Sequence, residues 1–265
     1  MYQSKSEVVD GVLRFRAENL NLFLACPTID MKIHTETAAG IMSTFEALAS
    51  AGGAQMRLTF FSDSLIHRLR NRMLDNFLRK TDCSHMLMVD SDMGWDGKAV
   101  LRLIAADKPL IGIAGRRKVD KPSYCFNPVG GEGKVGMEIP WTINMEPPLG
   151  LVEVDEIGTG FLLIRRDCAE RMTNAYPELQ YKETDGEMIC GLFDTFLDKK
   201  AKVFWSEDYM FCRRWRNIGG KVYCDPYGFL KHVGQKSYDG ALINTFELKG
   251  EGNANGSKVI NGERQ

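Results

Sequence analysis

The run His85-Met86-Leu87-Met88-Val89 is apolar and ends abruptly in Asp90-Ser91-Asp92, two carboxylates separated by one serine. A short apolar run of this kind reads as a buried strand of an α/β sheet. Ligands gather at the C-terminal edge of such sheets. Two carboxylates there repel one another unless something positive offsets them. A divalent cation carrying a phosphate does so, because Mg²⁺ or Mn²⁺ takes oxygen ligands from one or two carboxylates plus substrate phosphates. The alternative is an acidic turn before the next helix, with Asp92 or Asp96 as its cap.

Four further groups can join that chemistry. Arg68, Arg70, Asn71 and Arg72 lie just ahead of the carboxylate strand, and an arginine there can neutralise a diphosphate through paired hydrogen bonds. A solvated helix face, with Asp75 pairing to Arg72 and Arg79, explains Arg68 and Arg72 as well. Gly158-Thr159-Gly160 permits close backbone approach to a ligand, or forms a plain hairpin turn. Ser206-Glu207-Asp208 opens a helix; its acidic residues complement the helix dipole, or one serves as a general base. His232 follows a short apolar segment and can complete a coordination shell begun by carboxylates.

Positioning these residues falls to an alternation of elements. Leu20 to Cys26 reads as a strand, Thr35 to Ala51 as a helix stopped by Gly52-Gly53, and Met56 to Phe61 as a second strand. Ser62-Asp63-Ser64 opens a helix with Ile66, Leu69, Met73 and Phe77 on one face. After the carboxylate strand, Asp96-Gly97 starts a helix and Leu110 to Ala114 forms a fourth strand. Four strand–helix alternations predict an α/β fold with a mostly parallel central sheet and helices on both faces. The second half is less regular. Lys121 to Leu149 is rich in Gly and Pro without a clear period, and reads as short strands and a mobile loop. Strands are expected at Leu151 to Val154, Phe161 to Ile164 and Lys221 to Cys224, and helices at Asp167 to Tyr176 and from Ser206 to Ile218. The stretch from Gly250 onward is polar, Gly/Asn-rich and expected to be disordered.

Bulk properties narrow the class. The 34 basic and 35 acidic residues nearly cancel, so no global field draws the chain to nucleic acid or to an anionic membrane, although local clusters can. No run of 18 apolar residues exists to span a bilayer, and the N-terminus lacks the apolar core of a signal peptide. The seven cysteines are scattered without a C-x-x-C, which fits reduced core thiols in a cytoplasmic protein rather than a zinc site or disulfide framework.

Taken in order, Asp90-Ser91-Asp92, Gly158-Thr159-Gly160, Ser206-Glu207-Asp208 and His232 resemble the D-x-D motif, acceptor loop, x-E-D helix start and C-terminal histidine of GT-A glycosyltransferases. Ser62-Asp63-Ser64 with Arg70-Asn71-Arg72 is similar to the donor-side helix of small phage and bacterial members of that group. The resemblance implies a Rossmann-like GT-A fold in one catalytic domain over residues 1–249, with a nucleotide-sugar half at about 20–118 and an acceptor half at about 119–240. It implies a metal-dependent hexosyltransferase with Mn²⁺ or Mg²⁺ and a nucleotide-sugar co-substrate, a UDP-sugar favoured. Asp92 and His232 would bind the metal, and Asp90 would contact it through water or hold the ribose. Pro27, Thr28 and Asp30 would line the nucleotide pocket, Asp63 would hold base or ribose, and Ser91 would border the donor. Arg70 would approach the diphosphate and Lys118 the donor sugar or diphosphate. Asp208 would be the base of an inverting reaction, supported by Glu207, with Gly158, Thr159 and Gly160 at the acceptor. The first loop, Cys26-Pro27-Thr28-Ile29-Asp30, departs from the polar start of many relatives, which leaves the base open.

Two rivals stay open on sequence. A sugar-nucleotide pyrophosphorylase shares sheet, metal and substrates but needs a Gly-rich phosphate loop where this chain has CPTID. A non-catalytic nucleotide- or glycan-binding module is the other. The phage-like motifs and the clusters Arg116-Arg117-Lys118, Arg165-Arg166 and Arg213-Arg214 raise a modified base in phage DNA, such as a 5-hydroxymethyl-pyrimidine, as acceptor, which would place the protein in the host cytoplasm. Polysaccharide, protein and small-molecule acceptors are the alternatives.

Overall fold

The computed structural model describes residues 3–9, 12–52, 54–130, 145–146 and 149–245 of the chain. The Gly/Asn-rich stretch after Gly250 and most of the irregular segment before Leu149 lie outside the described residues.

An antiparallel hairpin, β1 (Gln3–Val9) and β2 (Val12–Glu18), precedes the alternating half. Then follow β3 (Asn21–Thr28), α1 (Thr35–Ser50), β4 (Gln55–Ser62), α2 (Ile66–Lys80), β5 (His85–Val89), β6 (Met93–Gly94), α3 (Gly97–Ala105) and β7 (Leu110–Gly112). The second half contributes β8 (Phe126–Pro128), β9 (Met145–Glu146), β10 (Leu151–Ile157), β11 (Phe161–Arg165), α4 (Arg166–Ala175), β12 (Gln180–Lys182) and β13 (Met188–Cys190). It ends with β14 (Phe196–Asp198), β15 (Val203–Trp205), α5 (Glu207–Asn217), β16 (Val222–Cys224), β17 (Phe229–Val233) and β18 (Ser237–Ala241).

The central sheet runs β4-β3-β5-β11-β7-β16-β10-β8, with β9 beside β10. β4, β3 and β5 pair in parallel, as do β7 and β16, while β11 is inserted antiparallel between β5 and β7. The mostly parallel layout with helices on both faces is therefore present. Side-chain alternation divides it into two cores. Phe23, Met86, Met88 and Leu162 face α2, α4 and α5, through Met73, Phe77, Met172, Phe211 and Trp215. Leu22, Leu24, Leu87, Val89 and Phe161 face α1 and α3, through Leu48, Val100 and Ile104. Phe77 is fully buried and stacks on Phe23 with centroids 6.1 Å apart, so truncating it to alanine costs about 3–5 kcal/mol.

Two glycines set how closely α1 and α3 pack. A Cβ on Gly40 would stand 2.5 Å from the Trp95 ring, and one on Gly97 would stand 2.1 Å from the Ser43 carbonyl oxygen. Their absence lets Trp95, just past the paired carboxylates, bury against α1 and donate from Nε1 to Thr44 Oγ1 at 2.8 Å. Asp96 caps α3 as expected, accepting from Lys98 N at 2.8 Å. Ile66 departs from the expected buried face of α2: it is exposed, while Arg70 and Asn71 are buried.

Gly158-Thr159-Gly160 is not a hairpin turn. The strands it joins, β10 and β11, are separated in the sheet by β16 and β7. None of the seven cysteines is in a disulfide, and six are buried. Among the described residues no helix is long and apolar enough to cross a membrane.

Candidate functional site

Asp90 and Asp92 sit on a tight turn between β5 and β6. Asp90 N donates to Gly160 O at 3.1 Å, Met93 N to Asp90 O at 3.1 Å, and Val233 N to Asp92 O at 2.8 Å. From α1, His34 N donates to Ser91 O at 2.9 Å, and the buried Thr37 hydroxyl lies 2.8 Å from Ser91 O and 2.7 Å from Met93 O. Three separate elements thus hold the turn. Thr37 carried no signal in the sequence, since a threonine in a first helical turn is ordinary.

β6 pairs antiparallel with β17 in the register His232↔Met93, which delivers His232 to Asp92. His232 Nε2 stands 3.5 Å from Asp92 Oδ1, too long for a good hydrogen bond. His232 Nδ1 is 2.7 Å from Arg116 O; the carbonyl only accepts, so Nδ1 carries the proton. The neutral ring then has its Nε2 lone pair available to a cation, whereas the protonated ring turns an Nε2–H toward Asp92. Asp92 Oδ1 is itself buried and lacks a hydrogen-bond partner. Lys118 Nζ is 2.5 Å from Asp92 Oδ2. Burial works to raise the Asp92 carboxyl, but contact with His232 and Lys118 prevails and brings it down to about 2. Burial likewise works to lower His232, and Asp92 with the Arg116 carbonyl raises it.

Among the described residues no group of three or more His, Cys, Asp or Glu side chains is gathered as a metal cluster. The Asp92–His232 pair still suits a hard divalent cation. It offers one carboxylate oxygen with no other partner and one imidazole nitrogen whose opposite ring N–H is held by a carbonyl, the outer-shell arrangement of metal-bound histidines.

Arg70 occupies the centre of the site. Its Nη2 lies 3.0 Å from Asp90 Oδ1 and its Nη1 bonds Glu207 Oε1. The guanidinium expected at a diphosphate is thus shared by two carboxylates, with its side chain only 6% exposed. Burial pushes the Glu207 carboxyl up against the pull of Arg70. Asn71 turns to the other side of α2, donating to Asp194 Oδ1 at 2.9 Å and accepting from Phe193 N at 2.7 Å. Arg79 pairs with Asp75 as expected of a solvated face, whereas Arg68 pairs with Asp63, whose carboxylate also accepts from Leu65 N at 3.0 Å.

Ser206 stands at the N-cap of α5 but does not cap the backbone; its hydroxyl donates to Asp208 Oδ1. The same oxygen accepts from Tyr209 N at 2.8 Å, so the carboxylate is fixed and Oδ2 carries none of these bonds. Oδ2 faces Gly158, where an added Cβ would come within 3.6 Å of it. An added Cβ on Gly160 would lie 3.2 Å from Asp90 Oδ2. Neither glycine has a positive φ, so close approach rather than unusual dihedrals explains them. Thr159 between them is buried with an unpartnered hydroxyl.

A cleft of about 360 Å³ opens beside this constellation, lined by Pro27 to Ile29, Asp63, Ser64, Ile66, Leu69, Arg70 and Asp90 to Asp92. Pro27, Thr28, Asp63 and Ser91 therefore share the lining of one cleft. Thr28 presents little polar function, because its hydroxyl donates to Phe61 O at 3.0 Å. Asp30 is absent from the lining: its carboxylate is half exposed and paired with Lys32 at 2.8 Å. Lys118 lies against Asp92 rather than on the cleft wall.

The basic clusters are committed internally. Arg116 donates to Asp239 O and Asp120 O, and Arg165 pairs with Asp167 and Asp107. Arg166 donates to Cys83 O, Phe77 O and Thr81 O. Arg213 pairs with the buried Glu156, and buried Arg214 donates to Leu192 O and Asp194 O.

No protein-family model matches the chain, and no curated protein matches it. Among solved structures it is similar to A197 from STIV, at 14% identity over 84% of this chain and 91% of that one, with a TM-score of 0.48. It is also similar to a glycosyltransferase involved in glycosylation of the major capsid of PBCV-1, at 14% identity, 59% and 67% coverage and a TM-score of 0.32. A third similar structure is S. aureus TarS in complex with UDP-GlcNAc, at 11% identity, 88% and 60% coverage and a TM-score of 0.35. The chain spans about three fifths of that TarS chain.

Proposed function

We propose that this protein is a GT-A glycosyltransferase that moves a sugar from a nucleotide-diphosphate donor, a UDP-sugar favoured, to an acceptor hydroxyl. The observation that carries this reading is one convergence: Asp92 with His232, and Asp90 with Glu207 through Arg70, beside one cleft. Residues 1–249 then act as one catalytic domain, with the donor half at about 20–118 and the acceptor half at about 119–240.

Mn²⁺ or Mg²⁺, held by Asp92 and His232, would supply charge stabilisation to the diphosphate leaving group. The rest of the chemistry belongs to the chain. Pro27, Thr28, Asp63 and Ser91 form the walls against which the nucleotide is oriented. Arg70 ties Asp90 and Glu207 to one guanidinium, which screens their mutual repulsion and holds both carboxylates in place. Asp208, oriented by Ser206 and Tyr209, accepts the acceptor hydroxyl proton at Oδ2. The acceptor oxygen bonds to the anomeric carbon as that carbon's bond to the diphosphate breaks, which inverts the configuration. The glycines at 158 and 160 leave room for the acceptor against both carboxylates. Arginines committed to internal partners favour a polysaccharide, protein or small-molecule acceptor over modified DNA.

The test is thermal stability of wild type and Asp92→Ala with a panel of nucleotide diphosphates and nucleotide sugars, with and without Mn²⁺. Ligands that bind the native state raise the melting temperature by mass action. A metal-dependent shift with one nucleotide, lost in Asp92→Ala, supports the transferase reading. No shift with any nucleotide from a folded sample overturns it.

A further inference from the structure

Immediately before α5, β14 and β15 form a two-stranded hairpin that joins no other sheet among the described residues. Its register pairs Phe196 with Trp205 and Leu197 with Phe204. Paired residues share a face, so Leu197 and Phe204 stand together on one side. Both are exposed, at 54% and 64%. On the other side the Arg213 guanidinium of α5 lies 3.5 Å from the Trp205 ring centroid, and Phe196 beside it is 50% exposed. At the turn Lys199, Lys200 and Lys202 are exposed. The one acidic residue there, Asp198, spends its Oδ1 on the backbone N–H groups of Lys200 and Ala201, each at 2.9 Å.

We propose that this hairpin docks the protein on an anionic lipid bilayer surface, with Leu197 and Phe204 entering the interface and the three lysines meeting lipid phosphates. Elements that put leucine and aromatic side chains beside lysines bind bilayer interfaces, and anionic lipid attracts the lysines. The chain as a whole carries a net charge of −1, so the attraction is local to this turn. A protein partner fits less well. Stable protein contacts bury about 800 Å² on each side, far more than two side chains and a turn present, whereas a bilayer asks for no matching surface. β15 leads through Ser206 directly into Glu207 and Asp208, so docking would hold the carboxylates assigned above to the acceptor side close to the lipid surface. That last consequence rests on the proposed function; membrane binding does not.

Vesicle flotation with the full chain tests it, using phosphatidylcholine vesicles with and without phosphatidylglycerol at low and high salt. Expected are binding only to the anionic vesicles, weakening with salt, and loss in Leu197→Ser/Phe204→Ser. Lys199→Glu/Lys200→Glu/Lys202→Glu, which alters no apolar side chain, is expected to weaken binding at least about tenfold. The proposal is overturned if anionic vesicles fail to bind wild type or if either variant binds as wild type does. It is equally overturned if the protein self-associates through the hairpin, seen as a rise in solution mass that Phe204→Ser abolishes. Nucleotide-induced melting shifts, followed in parallel, report on the transferase reading separately.

Discussion

Asp90 and Glu207 share one guanidinium, that of Arg70, which lies 3.0 Å from Asp90 and bonds Glu207 directly. The contact joins α2 and the carboxylate strand to the start of α5, with Arg70 and Glu207 separated by 137 positions in the sequence. Removing the arginine leaves two carboxylates, one of them largely buried, without a counter-charge. Arg70→Met is therefore expected to destabilise the fold by about 3–5 kcal/mol in urea unfolding. Adding Glu207→Gln removes one of the stranded charges and recovers part of that loss. A double variant as unstable as the sum of the two singles shows that the three residues do not act as a unit.

Asp92 and His232 give a pH signature. The His232 pKa is raised and the Asp92 pKa is lowered to about 2. A raised histidine contributes stability that is full below its unfolded value, ordinarily about 6.5, and is lost as pH rises through the folded value. A lowered carboxyl contributes stability that is full above its unfolded value and is lost as pH falls toward about 2. The pair therefore stabilises the metal-free protein most at mildly acidic pH. In Asp92→Asn the charged raising partner is gone while burial and the Arg116 carbonyl contact persist, so His232 titrates lower than in wild type. Proton NMR of the His232 ring measures this, and an unchanged titration in the variant contradicts the contact.

The loop between β10 and β11 makes a steric prediction. On Gly160 an added Cβ meets Met93 Cε at 2.8 Å and Asp90 Oδ2 at 3.2 Å, while on Gly158 it meets Cys125 Cβ at 3.0 Å and Asp208 Oδ2 at 3.6 Å. Gly160→Ala should cost about 1–3 kcal/mol and disturb Asp90. Gly158→Ala should cost less, and should weaken an acceptor more than a nucleotide. Melting curves with and without nucleotide separate the two effects.

The residues that were legible in the sequence are those announced by local pattern. The apolar run ending at Asp90 reads as a buried strand, and Asp96 followed by Gly97 could be recognised as a cap because a cap is a local hydrogen bond. Partnerships made by distant pairing were not. Nothing near Arg70 announces Glu207, and nothing near Lys118 announces Asp92, because each pair meets only once the sheet order is set. The insertion of β11 between β5 and β7 is of the same kind, since periodicity identifies a strand and not its neighbours. Ser206 shows the opposite failure. Its type and place fit a cap, but an adjacent carboxylate offers its hydroxyl a stronger, charge-assisted acceptor. Asp30 lies off the cleft lining because a carboxylate just past a strand end can face the cleft or the solvent, and Lys32 draws it outward.

Asp208 carries the sharpest kinetic prediction. Ser206 and the Tyr209 amide hold one oxygen and leave the other toward Gly158, as a general base requires. Asp208→Asn keeps the shape and the acceptance of both hydrogen bonds through its amide oxygen, but cannot take a proton. Once a donor and acceptor have been found, kcat should fall by about 10²–10⁴-fold, the usual contribution of a positioned base, while the nucleotide-induced melting shift stays as in wild type. Ser206→Ala should show a smaller fall, because the Tyr209 amide still orients the carboxylate. Glu207→Gln should act differently, lowering stability and kcat together by loosening Arg70 from the acceptor helix. A product with retained anomeric configuration, read from its NMR coupling, would remove Asp208 from the role of base, and full activity in Asp208→Asn would do the same.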